Sequence, residues 1–180
     1  MFTTIFIPGY GNSVNGHWQE IWYKQSKNSY WVQQQDWDHP RCDNWVKTLN
    51  QLVQSIDGPI LFITHSLGGS TLNEWAKKYT ANVLGAFIVA VPDVQNSYLP
   101  KEITGYQDLP LTPLPFPSLM LSSSNDPYSS IERAHFFAQH WGSEFINVGN
   151  LGHINTASNI DDWPEGKKQL MQFIDCLIKE

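Results

Sequence analysis

Ser66, Asp126 and His153 are the residues whose types and order could do covalent chemistry. Ser66 lies in THSLGG (64–69), Asp126 in SNDPY (124–128) and His153 in GNLGH (149–153). A serine hydroxyl attacks a carbonyl only when a base takes its proton, and a histidine serves that purpose when an acid fixes its tautomer. Acyl transfer is the chemistry these three imply. Two alternatives stand beside it. Ser66 could be an ordinary helix N-cap, and Asp93, in AVPD (90–93), is a rival for the acid. Among the other histidines, His65 should point away from its neighbour Ser66, because adjacent side chains alternate along a strand. His135 and His140 fall within a helical pattern, and His17 opens one.

Such residues need rigid elements to hold them together. Short apolar runs bounded by Gly, Pro and polar clusters predict strands at 2–7, 30–35, 60–64, 83–91, 118–123 and 144–148. Stripes of helical period lie between most of them. One is Trp18, Ile21 and Trp22; a longer one runs from Trp45 to Ile56, with Asp43 as the expected N-cap. Leu72, Trp75, Ala76 and Tyr79 follow the serine. Ile131 to Trp141 forms the next stripe, opened by a Ser129-x-x-Glu132 capping box. A terminal helix from about Pro164 carries Leu170, Phe173 and Leu177, with Asp161 and Asp162 expected to cap it. Strand–helix alternation predicts an α/β fold: one domain over 1–180, with about six parallel strands between helical layers. Residues 92–117 are Pro-rich and aperiodic, which predicts an irregular covering loop rather than a lid domain.

In such sheets the ligand site lies beyond the carboxyl ends of the strands. Ser66, Asp126 and His153 all sit in loops that leave strands, in the chain order Ser, acid, His of the α/β-hydrolase triad. The matching G-x-S-x-G elbow reads Thr64-His65-Ser66-Leu67-Gly68, departing from the pattern only at Thr64. The two backbone N–H groups that would hold an oxyanion are expected from Leu67 and from Tyr10, in PGYGNS (8–13). Gly9 beside Tyr10 would let the backbone approach a substrate, and His17, Trp18, Trp37 and Tyr98 are candidate pocket walls. Tyr106 is a further aromatic of the same kind.

Composition narrows the function classes. Of 180 residues, 17 are acidic and 11 basic, a net charge of −6 that argues against binding a nucleic-acid backbone. The run MFTTIFIPGYG reads as a first strand rather than a signal peptide, and no apolar stretch is long enough to cross a bilayer. Two distant cysteines, Cys42 and Cys176, suit reduced thiols in a cytoplasmic protein. Neither follows a strand in an elbow, so a cysteine nucleophile is not expected. His39 and Cys42 lack a second ligand pair, so no metal is expected either.

The segments IPGYGNSVNGHW, QQDWDHP, THSLGG, SSNDPY and GHIN, spread over nearly the whole chain, resemble the small α/β-hydrolases of the retinoblastoma-binding serine hydrolase and YdeN-type family. That resemblance implies a lidless domain, no metal or organic cofactor, and a triad of Ser66, Asp126 and His153. It names serine hydrolysis rather than a substrate. The triad's acyl-transfer chemistry predicts an ester, thioester or amide, and the short irregular 92–117 loop predicts a shallow site for small or medium acyl groups, short peptides included. The alternative is a protein-binding module that keeps the fold with little turnover.

Overall fold

The computed structural model describes residues 2–179. Six strands form one all-parallel sheet in the order β2-β1-β3-β4-β5-β6. They are β1 (Thr3–Ile7), β2 (Ser29–Trp31), β3 (Ile60–His65), β4 (Val83–Val89), β5 (Ser118–Ser122) and β6 (Glu144–Asn147). The helices are α1 (Trp18–Gln25), α2 (Cys42–Val53), α3 (Leu67–Lys78), α4 (Ile131–Trp141) and α5 (Pro164–Lys179). A short 3-10 turn, Thr156–Ser158, follows the histidine loop.

Alternating strand residues feed two separate cores. Ile5, Ile7, Phe62, Ala86, Ile88 and Met120 face α2, α3 and α4, where Trp45, Leu49, Trp75 and Phe137 cover them. Phe6, Leu61, Ile63, Phe87, Val89 and Leu121 face α1 and α5, where Trp22, Leu170 and Phe173 close the second layer. Both faces are thus buried, as a parallel sheet requires. The chain winds from β1 to β2 on one side and then crosses to β3 on the other. This reversal puts the switch point between the loops that leave β1 and β3.

Several predicted boundaries move for local reasons. The strand predicted over 30–35 pairs only as Ser29–Trp31, because its neighbour β1 ends at Ile7 and gives way to Pro8. The fourth strand stops at Val89, where Ala90 turns to φ 53°. The cap of α2 is Arg41, with Asp43 in the first turn and paired to Lys78 at 2.8 Å. The cap of α4 is Ser130, whose hydroxyl accepts from the Arg133 N–H, one residue past the predicted box. Rather than offering side-chain caps, the stretch before α5 turns sharply: Asp161 and Trp163 both take positive φ, and the Asp162 carbonyl accepts from Trp22 Nε1. Residues 92–117 carry no helix or strand, only one isolated bridge between Arg41 and Thr104. No helix among the described residues is long and apolar enough to cross a membrane.

Candidate active site

Ser66 stands between β3 and α3 with φ 53° and ψ −126°, a region that costs a non-glycine residue about 1–3 kcal/mol. Its surroundings enforce the strain. The Ser66 N–H donates to the Val89 carbonyl, and the Gly69 N–H donates to the Ser66 carbonyl. A Cβ on Gly68 would lie 2.1 Å from the Ile7 carbonyl oxygen, and one on Gly9 would lie 2.8 Å from Ser66 Cβ. The elbow can form only where β1 and α3 nearly touch. Gly9 is therefore packed against the turn itself, and that close approach, not a place in the cavity wall, is its contribution.

The loops after β5 and β6 are stitched together before they reach the serine. The Ser124 N–H donates to the Gly149 carbonyl. The Asn125 side-chain oxygen accepts from the Gly152 N–H at 2.7 Å, and Ser123 Oγ accepts from the Leu151 N–H at 2.9 Å. On this frame Asp126 Oδ2 and Oδ1 lie 2.8 and 3.0 Å from His153 Nδ1, and His153 Nε2 lies 2.8 Å from Ser66 Oγ. A carboxylate can only accept, so Nδ1 carries the proton and the bare Nε2 accepts from the serine hydroxyl. The Asp126 side chain is only 2% exposed. Asp93 takes no part in this chain: Arg133 holds it in a two-pronged pair at 2.9 and 3.2 Å.

Two more histidines surround the base. His65 Nε2 donates to the His153 carbonyl at 2.9 Å, although its neighbour in sequence is Ser66. Its ring sits 4.5 Å from that of His17 and 5.0 Å from that of His153. Burial, and the proximity of His17 and His153, hold His65 well below the usual histidine range. His17 caps α1 by accepting the Gln19 N–H at Nδ1, which leaves the proton of a neutral ring on Nε2. Burial is the main cause that pushes its pKa down to about 3. The His17 Nε2 is buried and has no hydrogen-bond partner among the described residues.

A cavity of about 390 Å³ opens beside Ser66. Tyr10, His17 and Leu67, expected at the site, do line it. Four expected aromatic residues do not. Trp18 is 1% exposed and lies in the second core, where its Nε1 donates to the Ile154 carbonyl. Trp37 packs edge-on against Trp45, its carbonyl held by the Gly11 N–H. Tyr98 projects from the 92–117 loop at 78% exposure, while Leu99, Pro100 and Ile103 from the same loop supply the wall. Tyr106 is buried and bonded to Thr71. Sequence reasoning missed Tyr128, whose ring meets His153 edge-on at 4.6 Å. Its place in SNDPY, two residues past the acid, was the available signal.

Among the described residues no group of three His, Cys, Asp or Glu side chains is placed to hold a metal ion. Cys42 is buried under the Gly105 turn and its thiol is pushed up to about 12, so it offers no thiolate. Cys176 is exposed on α5, remote from the elbow.

A parallel sheet with the serine at its switch point, and an acid and a histidine on later loops, defines an α/β-hydrolase. The chain belongs to the serine hydrolase family, whose pattern it matches over residues 4–172. Within that group it is similar to small YdeN-type hydrolases. It is 28% identical to a YdeN-like hydrolase from Pectobacterium atrosepticum, with 98% of this chain and 92% of that one aligned and a TM-score of 0.86. The ydeN gene product from B. subtilis shares 16% identity over 97% of this chain and 100% of its own, with a TM-score of 0.82. A thermophilic esterase from Thermogutta terrifontis shares the fold at 15% identity, aligning 98% of this chain and 90% of its own with a TM-score of 0.71. Among curated proteins none matches the sequence.

Proposed function

We propose that the protein hydrolyses small or medium acyl esters, thioesters or amides through a Ser66–His153–Asp126 triad and an acyl-enzyme. One observation carries this reading: a strained serine whose Oγ lies 2.8 Å from the unprotonated nitrogen of a histidine anchored by a carboxylate. As Ser66 Oγ attacks the carbonyl carbon, its proton passes to His153 Nε2, and Asp126 stabilises the resulting imidazolium. The carbonyl oxygen becomes an oxyanion facing the Leu67 and Tyr10 N–H groups. Leu67 opens α3, so its N–H has no intrahelical acceptor. Among the described residues neither amide joins a backbone hydrogen bond between elements. Each such donor contributes on the order of 10²–10³ in rate. When the tetrahedral species collapses, the leaving group takes the proton from His153. Water then repeats the cycle on the acyl-enzyme, releasing the acid and restoring Ser66.

The first test is Ser66→Ala. It should abolish both 4-nitrophenyl ester hydrolysis and labelling by a fluorophosphonate probe. The thermal midpoint should not fall, since alanine removes only the hydroxyl and occupies the same backbone. Hydrolysis retained by a pure Ser66→Ala preparation would exclude Ser66 as nucleophile. A wild type that neither labels nor turns over would favour the binding-module alternative.

A further inference from the structure

Among the described residues no lysine, arginine, aspartate or glutamate lines the cavity beside Ser66. Val14, Leu67, Leu99, Pro100 and Ile103 make its apolar wall, and Ser13, Asn155 and Thr156 add neutral hydrogen-bonding groups. His17 and His65 could have supplied cations, but burial holds both rings neutral. Two acids beside it are already engaged, and Glu102 and Asp38, whose charges act on the lining residue Tyr10, stand outside the lining. Asp126 is covered behind His153, and Asp93, next to the lining residue Pro92, is neutralised by Arg133. Resting on the acyl-transfer reading above, we propose that the cavity selects uncharged acyl groups and turns away those that carry a carboxylate or an ammonium. A charge entering it would lose hydration and meet no counter-ion in its lining, a cost that neutral hydrogen bonds only partly offset. At about 390 Å³ the cavity is near the small end of ligand sites, which suits a short or medium acyl chain.

The protein's own charge of −6 also acts on charged substrates, but it repels anions and attracts cations. Three substrates of similar length separate that field from the cavity. They are the 4-nitrophenyl esters of hexanoate (neutral), of adipate (the monoester, an anion) and of 6-aminohexanoate (a cation). At pH 7.5, kcat/KM for the hexanoate should exceed that for both charged esters by about tenfold or more. The rim variant Thr156→Lys, at an exposed position, should then raise the adipate-to-hexanoate ratio several-fold. Equal turnover of the three esters, or a cationic ester matching the neutral one, overturns the inference. So does a Thr156→Lys ratio identical to wild type, because the discrimination would then lie outside this cavity. The two layers of the proposal fail differently. Fluorophosphonate labelling without charge preference removes the inference alone, whereas neither labelling nor hydrolysis removes the acyl-transfer reading beneath it.

Discussion

The choice of acid is decided by which partner each aspartate already has. Asp126 accepts from His153 Nδ1 and from the Tyr128 N–H, both within 3.0 Å, so its carboxylate is fully committed to orienting the base. Asp93 is committed to Arg133 instead. Asp126→Asn should keep the fold but offer His153 an amide in place of one acceptor, favouring the wrong tautomer and lowering kcat by on the order of 10²–10⁴. Asp93→Asn weakens a partly exposed ion pair and should cost at most about tenfold in activity. Both variants assayed on one activated ester at pH 8, with circular dichroism as the folding control, give the ranking; the reverse order would place the acid after β4. The candidate residues themselves were legible from type and chain order. Their partners were not. Arg133 lies 40 positions beyond Asp93 and His153 lies 88 beyond His65, and nothing in local spacing signals either contact. Trp18 and Tyr98 show the same limit from the other side, since an aromatic in a loop or at a helix start reads alike whether it ends in the core or in solvent.

At the scale of elements, the elbow explains why a threonine is tolerated where the pattern asks for glycine. Thr64 is fully buried, and a Cβ on Gly69 would lie 3.2 Å from its Oγ1, so the second glycine of the pair leaves the room that Thr64 uses. The two glycines therefore do different jobs. Alanine at Gly68 would meet the Ile7 and Pro8 backbone, which cannot retreat without separating β1 from β3. Alanine at Gly69 would meet the methyl groups of Val91 and Ile88 at 2.7 and 3.2 Å. Intrinsic helix propensity favours both substitutions by about 1 kcal/mol, so any loss is due to packing. Gly68→Ala should lower stability in urea by about 3 kcal/mol or more and abolish activity, and Gly69→Ala should lose roughly half as much. Equal midpoints for the two variants would show that α3 can slide off β1. Element order and parallel pairing were readable because hydrophobic period and strand–helix alternation are local properties. Strand ends were less so: β2 stops where its neighbour does, and β4 stops at a positive φ that Ala90 does not announce.

For the molecule as a whole, the histidine cluster links stability to pH. A buried histidine with a depressed pKa stays neutral in the folded chain while the unfolded chain takes up a proton. Folding is therefore opposed as pH falls below the unfolded value near 6.5, and the loss grows until the folded pKa is reached. For His17 that window runs from about 6.5 down to about 3. His65, lowered for the same reason of burial, acts in the same direction. Between pH 7 and pH 5 the His17 ring should remove about 2 kcal/mol, or roughly 4–8 °C of Tm for a chain of this size. Other shifted groups work lower down the scale. Glu20 and Asp43, held below their usual values by Lys24 and Lys78, lose their contribution only as pH falls through the carboxylate range. Glu74, raised by burial, has the opposite sign and offsets part of the loss. Thermal melts at pH 7, 6 and 5 and constant ionic strength isolate the histidine window. His17→Asn, which keeps a capping oxygen for the Gln19 N–H but cannot be protonated, should make the fall in Tm shallower by several degrees. A wild-type Tm that is flat from pH 7 to pH 5, or an unaltered slope in His17→Asn, would show that His17 is protonated in the folded protein and that its burial is not what sets its charge.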